Sequence, residues 1–129
     1  METTTLHTFL ADFGLAKILT TSGHIGSKTM KCGTPGFQAP EQLKGGSISC
    51  KVDVYALGGV IVELFGGRPL WGDLQPLQIM YQVGVVGKMP ESSHLSPEIQ
   101  QIVRMCFEEE TKRASAVKVL RSLIDLARK

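Results

Sequence analysis

The most continuously apolar stretch of the chain, Val52–Phe65, constrains the fold more than any other feature. It carries two charged residues, Asp53 and Glu63, and its apolar residues fall on every side of a helical wheel. A helix that is apolar all round is buried all round, and this run is shorter than the roughly 20 residues that cross a bilayer. Val and Ile also suit a strand, but the run is too long for an ordinary one. We therefore expect a central core helix that ends at Gly66-Gly67 and Pro69.

The composition narrows the classes of protein to which the chain can belong. Its 129 residues suffice for one domain, and 43% of them are hydrophobic. The formal net charge of +2 is too small to indicate nucleic acid or a membrane as a partner. Cys32, Cys50 and Cys106 form no CxxC pair, so neither a disulfide framework nor a zinc site is expected. The sequence shows no signal peptide or transmembrane segment, and we expect a cytoplasmic or nuclear location.

The N-terminal third combines short elements with one long loop. Residues 1–8 are polar and are expected to be unstructured, whereas Phe9-Leu10-Ala11 is a candidate strand. The segment 15–37 is rich in Gly, Ser, Thr and Lys, which indicates a loop. Loops of this length inside a compact domain are usually functional. A short helix is expected over 39–44, stopped by Gly45-Gly46.

Three further helices are predicted downstream of the central one. The first, over Gln75–Val83, is weakly signalled. The second begins at an N-cap, Ser96, followed by Pro97 at the first helical position, and its expected buried face comprises Ile99, Ile102, Val103 and Cys106. The third covers Ser115–Ala127, and its expected buried face comprises Val117, Leu120, Ile124 and Ala127.

Two short motifs in a fixed order carry the functional information. Asp12-Phe13-Gly14 precedes the long loop and Ala39-Pro40-Glu41 follows it; each is weak alone, but their order and spacing are a stronger signal. Together with three further segments, these motifs make the chain resemble the eukaryotic protein kinase family, of the Ser/Thr type. The three segments are Cys-Gly-Thr-Pro-Gly-Phe-Gln-Ala-Pro-Glu (32–41), Lys-Val-Asp-Val-Tyr-Ala-Leu-Gly (51–58) and Lys112-Arg113. The resemblance begins at about Phe9 and covers nearly the whole chain.

The resemblance implies a mainly α fold. The expected structure is a partial kinase-like C-lobe over residues 9–129, with helices packed around the central apolar helix and a long activation-type loop near the N-terminus. In the family, another helix and loop cover part of the central helix, and no counterpart of them is found in this sequence. An uncovered apolar face, on the order of several hundred Å², is therefore expected to promote association.

The resemblance also assigns roles to the first motif. Asp12 would hold Mg²⁺ against the phosphates of ATP, since a hard cation needs an oxygen ligand. Phe13 would pack against the core and set the placement of Asp12, and Gly14 would give the backbone freedom to switch. The alternative is that Asp12 is only a turn residue before a glycine.

Residues 15–41 would form the activation segment. Ser27 and Thr29 lie closest to the positions at which the family is usually phosphorylated, and a phosphate there would add a charge of about −1.5 to −2 and order the loop. The alternative is an unmodified, solvated Ser/Thr-rich loop. Thr34 follows Gly33, as in Ser/Thr kinases, and would face the protein substrate.

Two structural roles complete the resemblance. Glu41 would pair with Arg113 and anchor the activation segment to the helical lobe; a buried pair would lose about 3–5 kcal/mol on removal of one partner, whereas a surface pair is worth roughly 0–1 kcal/mol. The segment 109–114 around Arg113 lacks both prolines of the family pattern, which has an acidic residue, Pro and then Arg-Pro, and it is one residue short. Asp53 would accept hydrogen bonds from the catalytic-loop backbone, or it is simply a favourable carboxylate at a helix N-terminus.

Several parts of the phosphoryl-transfer machinery are not present in this sequence. It contains no Gly-rich loop, no strand lysine and no catalytic-loop aspartate, so no catalytic residue is assigned. ATP and Mg²⁺ would serve the parent kinase and would not be bound by this chain alone. We therefore expect a portion of a Ser/Thr kinase domain that is inactive by itself, whose partners are protein substrates or regulators. The alternative is a non-catalytic, kinase-like protein-interaction module.

Overall fold

The computed structural model describes residues 5–16 and 33–129, and within these ranges the chain is mainly helical. A 3₁₀ turn at Phe13–Leu15 precedes the helices. The described residues contain five α-helices: α1 (Pro40–Lys44), α2 (Lys51–Gly66), α3 (Pro76–Tyr81), α4 (Pro97–Phe107) and α5 (Ala116–Ala127). Helix α3 continues into a π-helical turn at Gln82–Val86. The mainly α fold class predicted from the sequence is confirmed, whereas most of the predicted activation-type loop lies outside the described residues.

Helix α2 is the central element, as the apolar run predicts. Tyr55, Ile61 and Val62 are almost fully buried on it, and α2 packs mainly against α4. The approach is close at Gly58, where an added Cβ would lie 2.6 Å from Cβ of Cys106. A glycine costs helix stability in the middle of a helix, but here it allows α4 to pack directly on the backbone of α2.

The prediction that α2 is buried on every side is wrong. Its outer residues Leu57, Val60, Leu64 and Phe65 are exposed, with Leu64 at 76%. No other described segment lies over this face, so its apolar side chains contact solvent. The separate expectation that part of the helix is left uncovered is confirmed.

Helices α4 and α5 begin at the serines that the sequence predicts. The hydroxyl of Ser96 accepts a hydrogen bond from the Ile99 amide at 3.4 Å, and that of Ser115 accepts one from the Lys118 amide at 3.2 Å. Such caps satisfy backbone donors that the first turn of a helix leaves free. The predicted buried face of α4 is confirmed at all four of its positions.

The predicted buried face of α5 is wrong by one position around the helix. Its buried residue is Val119, and Leu123 and Leu126 pack beside it against the core. The residues predicted to be buried are exposed instead: Val117, Leu120, Ile124 and Ala127. The sequence offers two neighbouring apolar stripes at helical spacing, and contact with α4 selects between them.

The candidate strand near the N-terminus is also wrong. Residues 9–11 have no regular secondary structure, and Phe9 and Leu10 are largely exposed. A strand needs a neighbouring strand to satisfy its backbone groups, and the described residues provide none here. None of the described helices is long and apolar enough to cross a membrane.

Candidate functional site

Asp12 has an unusual backbone conformation. With φ 63° and ψ 62° it lies in the left-handed region, and among the described residues no other non-glycine residue has a positive φ. Aspartate tolerates this region better than most residues, but such strained conformations cluster at functional sites. The Asp12 side chain is exposed, and the residue directly precedes the 3₁₀ turn.

The other two residues of the motif are only loosely held. Phe13 is 68% exposed, so it does not pack against the core as the resemblance implies, because no described apolar surface lies over it. A Cβ added at Gly14 would meet its nearest neighbour, Oδ1 of Asp12, at 3.9 Å, an ordinary contact. Nothing in this conformation requires a glycine at position 14.

The turn that contains Thr34 is fixed by a tryptophan. The Phe37 amide donates a hydrogen bond to the Thr34 carbonyl at 3.3 Å, and the Thr34 side chain is exposed. The indole Nε1 of Trp71 donates to the Gly36 carbonyl at 3.2 Å. A Cβ at Gly36, where φ is 99°, would lie 2.9 Å from Cδ1 of Trp71. This position therefore requires glycine for both its conformation and its space.

Glu41 is positioned by the start of α1. Ala39 is fully buried, and its amide donates to Oε1 of Gln42 at 2.8 Å, which caps the helix. Pro40 occupies the first turn, where its fixed φ suits a helix and its missing N–H costs nothing. Glu41 follows in the same turn, with its side chain 15% exposed and directed toward Arg113.

The structure brings Glu41 and Arg113 together across 72 residues of chain. Nη1 of Arg113 donates to Oε1 of Glu41 at 2.6 Å and Nη2 donates to Oε2 at 3.1 Å, a bidentate pair. The guanidinium also donates from Nη1 to the Lys51 carbonyl at 2.9 Å and from Nε to the Glu108 carbonyl at 3.1 Å. One side chain thus ties α1, the start of α2 and the segment after α4 to each other.

The pair is buried and lies against an aromatic cluster. The side chain of Arg113 has no solvent exposure, and its Cζ lies 5.1 Å from the ring centroid of Tyr55. The Tyr55 ring in turn meets Phe107 edge to face, with centroids 5.1 Å apart. Cation–π and aromatic contacts of this kind supplement the ion pair, because the guanidinium is shielded from solvent.

Burial also perturbs two titratable groups beside Arg113. It raises the pKa of Tyr55 to about 12, against an opposing effect of the Arg113 charge. It raises the pKa of Cys106 to about 11, again opposed by Arg113. The Tyr55 hydroxyl makes no hydrogen bond with any described residue. Both groups therefore stay neutral at physiological pH.

The structure leaves the other predicted residues apart from this pair. Asp53 is exposed in the first turn of α2, and Ser27, Thr29 and Cys32 lie outside the described residues. The described part of the chain contains no group of three or more His, Cys, Asp or Glu residues arranged to hold a metal ion.

No sequence motif predicts the role of two contributors to the buried site. Lys51 supplies a carbonyl to Arg113, and its Nζ donates to the Arg113 carbonyl in return. Tyr55 supplies the aromatic face below the guanidinium. The position of Tyr55 in the apolar run indicates that it is buried, but not that it contacts Arg113. The carbonyl of Lys51 belongs to the backbone, so no sequence pattern identifies it as a hydrogen-bond partner.

Comparison with known proteins identifies the family. The Protein kinase domain family matches residues 2–123, nearly the entire chain. The chain therefore belongs to the protein kinase family. It is 31% identical over 113 residues to MAP3K epsilon protein kinase 2 of Arabidopsis thaliana, covering 88% of this chain and 8% of that protein.

Two further relatives show the range of the family. Mitogen-activated protein kinase kinase kinase 5 of Arabidopsis thaliana is 33% identical, over 77% of this chain and 14% of that protein. Inactive serine/threonine-protein kinase PLK5 of Mus musculus is 35% identical, over 82% of this chain and 18% of that protein. The chain thus spans less than a fifth of the length of each of these relatives.

Proposed function

We propose that residues 9–129 form the helical part of a Ser/Thr protein kinase domain whose parent transfers phosphate from ATP to protein serine or threonine. The observation that carries this proposal is the buried, bidentate pair between Glu41 and Arg113. It links the end of the proposed activation segment to the loop between α4 and α5. Protein substrates or regulators of the parent kinase would be the partners.

Asp12 is the proposed Mg²⁺ ligand in this scheme. Its exposed carboxylate and left-handed backbone support a functional role, and Phe13 and Gly14 are the proposed switch beside it. When bound, Mg²⁺ supplies charge neutralisation at the phosphates of ATP. Asp12 alone does not make a magnesium site, because the ion needs near-octahedral coordination by several oxygens. We therefore propose that this chain alone does not bind ATP·Mg productively.

The remaining predicted residues would regulate or position the activation segment. Ser27 and Thr29 are the proposed phosphosites, and Thr34, which is exposed on its turn, is the proposed substrate-facing residue. Asp53 is exposed at the start of α2, where its carboxylate is available to backbone donors of a catalytic loop. The nearby helix N-terminus favours its charge in either case.

A phosphoryl-transfer assay with a matched variant tests this function. The purified 129-residue chain is incubated with Mg²⁺, labelled ATP and a generic Ser/Thr protein substrate, in parallel with Asp12→Ala. We expect no difference between the two preparations, because a contaminating kinase would not respond to the substitution. Transfer that Asp12→Ala abolishes would show that the chain is an enzyme by itself and would overturn the proposal of inactivity.

A second candidate is a non-catalytic interaction module. It is favoured by the 35% identity to a relative that is itself described as inactive. The exposed apolar residues of α2 and α5 would provide contact surface. A partner retained by the chain in a pull-down and lost with Leu64→Gln would support this candidate, whereas retention of no specific partner would count against it.

A further inference from the structure

A small pocket lies between the connection after α2 and the loop that precedes α4. Its volume is about 300 Å³, and its lining includes buried Leu70 and half-buried Trp71. Charged and polar side chains complete the wall: Arg68, Lys88, Glu91 and His94. The pocket thus combines an apolar floor with two permanent positive charges.

The two cations of this pocket have no partner within the described chain. Neither the Arg68 guanidinium nor the Lys88 ammonium forms a side-chain hydrogen bond or an ion pair with another described residue. The single acidic wall residue, Glu91, accepts a hydrogen bond from the Ser93 amide at 2.8 Å. Glu91 thus turns toward its own loop but keeps its negative charge. Arg68 and Lys88 carry two positive charges against this one, so the wall keeps a net charge of +1 that suits an anionic group.

The pocket adjoins the proposed substrate-facing turn. Trp71 lines the pocket and also donates its indole N–H to the carbonyl of Gly36, two residues after Thr34. A peptide that lies along this turn would therefore pass the mouth of the pocket. Arg68 and Trp71 both line the pocket, so an anionic side chain that enters it has a guanidinium and an indole among its lining groups.

We infer that this pocket binds the carboxylate or phosphate of an acidic protein segment that lies along the Thr34 turn. Guanidinium and ammonium groups are the side chains that proteins use to bind phosphates and carboxylates. The identification of that segment as a kinase substrate rests on the proposed function, but its binding does not require phosphoryl transfer.

The single tryptophan of the chain makes the pocket directly observable. We would titrate the 129-residue chain, fused to a tryptophan-free solubility tag, with three probes and follow Trp71 fluorescence. The probes are a tryptophan-free peptide with a central Glu-Asp-Glu, the same peptide with phosphoserine at the central position, and the same peptide with three glutamines. We expect saturable changes with the first two and none with the third. Tighter binding of the phosphopeptide would assign the phosphate, and equal binding would assign a general anion site for acidic segments.

Charge-removing variants connect the signal to the pocket. Arg68→Gln and Lys88→Gln are each expected to weaken acidic-peptide binding about fivefold, as for removal of one exposed ionic contact. Lys118→Gln, an exposed cation on α5, is the matched control and should leave binding unchanged. Circular dichroism confirms that each variant is folded.

Two results would overturn the inference. The first is acidic-peptide binding that neither pocket variant alters, or no binding by a folded chain. The second is an inhibition constant of inorganic phosphate equal to the Kd of the phosphopeptide. This result would show an anion site in which the protein segment contributes nothing to binding. Neither result depends on catalysis. The pocket inference can therefore be wrong while the proposed kinase function is right, and the kinase function can be wrong while the pocket binds acidic segments.

Discussion

Replacement of Glu41 by glutamine tests the buried ion pair with the least change in shape. The variant keeps the volume and one carbonyl acceptor but removes the charge opposite Arg113. The guanidinium then stays in a site with no solvent exposure, held by two backbone carbonyls from Lys51 and Glu108. A buried charge without a compensating partner is one of the few causes of a large loss of stability.

The expected magnitude follows from the burial of the two partners. Loss of one partner of a fully buried pair costs about 3–5 kcal/mol. The Glu41 side chain is 15% exposed, which admits some water. The remaining amide oxygen of the variant also keeps one hydrogen bond. We therefore expect a loss of stability just below this range, about 2–3 kcal/mol, or a fall in Tm of about 10 °C for a domain of this size.

Equilibrium urea unfolding followed by circular dichroism measures this loss. The control is Glu109→Gln, which removes the carboxylate of an exposed pair with Lys112 at 3.9 Å, where the side chains are 79% and 71% exposed. That change should cost less than about 0.5 kcal/mol. In the double variant Glu41→Gln/Arg113→Met, the loss should be smaller than the sum of the single losses by about 2 kcal/mol. Equal, small losses for Glu41→Gln and Glu109→Gln would show that the buried pair does not stabilise the fold.

Three further predictions concern α2 and its surroundings. Burial raises the pKa of Tyr55 from 10.0 to about 12. The neutral phenol therefore stabilises the fold below pH 10, and this stability is lost as the pH rises through 12. Between these pH values, urea unfolding should show that the free energy of unfolding of Tyr55→Phe falls by about 2–3 kcal/mol less than that of the wild type. Gly58→Ala, whose Cβ meets atoms at 2.6 Å and 2.9 Å, should cost about 1–3 kcal/mol, whereas Gly46→Ala, with nothing within 4 Å, should be neutral. Leu64→Gln should reduce self-association in analytical ultracentrifugation without lowering Tm. Val62→Ala, at a 1% exposed position, should instead lower the free energy of unfolding by about 2 kcal/mol. A Gly58→Ala variant as stable as the wild type, or a destabilised Leu64→Gln, would contradict the packing described for α2.

The helices follow from local signals in the sequence. The apolar run predicts α2 to within one residue at each end, because few other structures bury so many apolar residues in succession. Ser96 and Ser115 predict the starts of α4 and α5, since a hydroxyl at the N-cap acts within one turn. Such features depend on neighbours in the chain and are therefore visible in the sequence.

The packing depends on distant neighbours and is less predictable. On α5, Val117 and Val119 both belong to plausible apolar stripes, and only the position of α4 decides that Val119 is buried. On α2, the exposure of Leu64 depends on which segments lie over it. Gly36 gives no local sign that Trp71 fills the space beside it.

In the candidate site, too, the sequence motifs predict some features and the three-dimensional packing determines the others. Motif order pointed to Glu41 and Arg113, which the structure places in contact. The carbonyl partners of the guanidinium and the cation–π contact with Tyr55 come from the three-dimensional arrangement and have no counterpart in a sequence pattern. The charged pocket at Arg68 and Lys88 was missed because its lining residues lie in separate loops.

A chimeric enzyme in which residues 9–129 replace the corresponding segment of an active Ser/Thr kinase domain tests whether these residues are the helical part of such a domain. We expect ATP-dependent transfer to serine or threonine, and a loss of kcat of about 100-fold or more with Asp12→Asn, as for removal of a main electrostatic element of a transition state. Thermal melting and ATP binding establish that both chimeras are folded. An Asp12→Asn chimera with the full rate, or a folded, ATP-binding chimera that transfers no phosphate, would contradict this prediction.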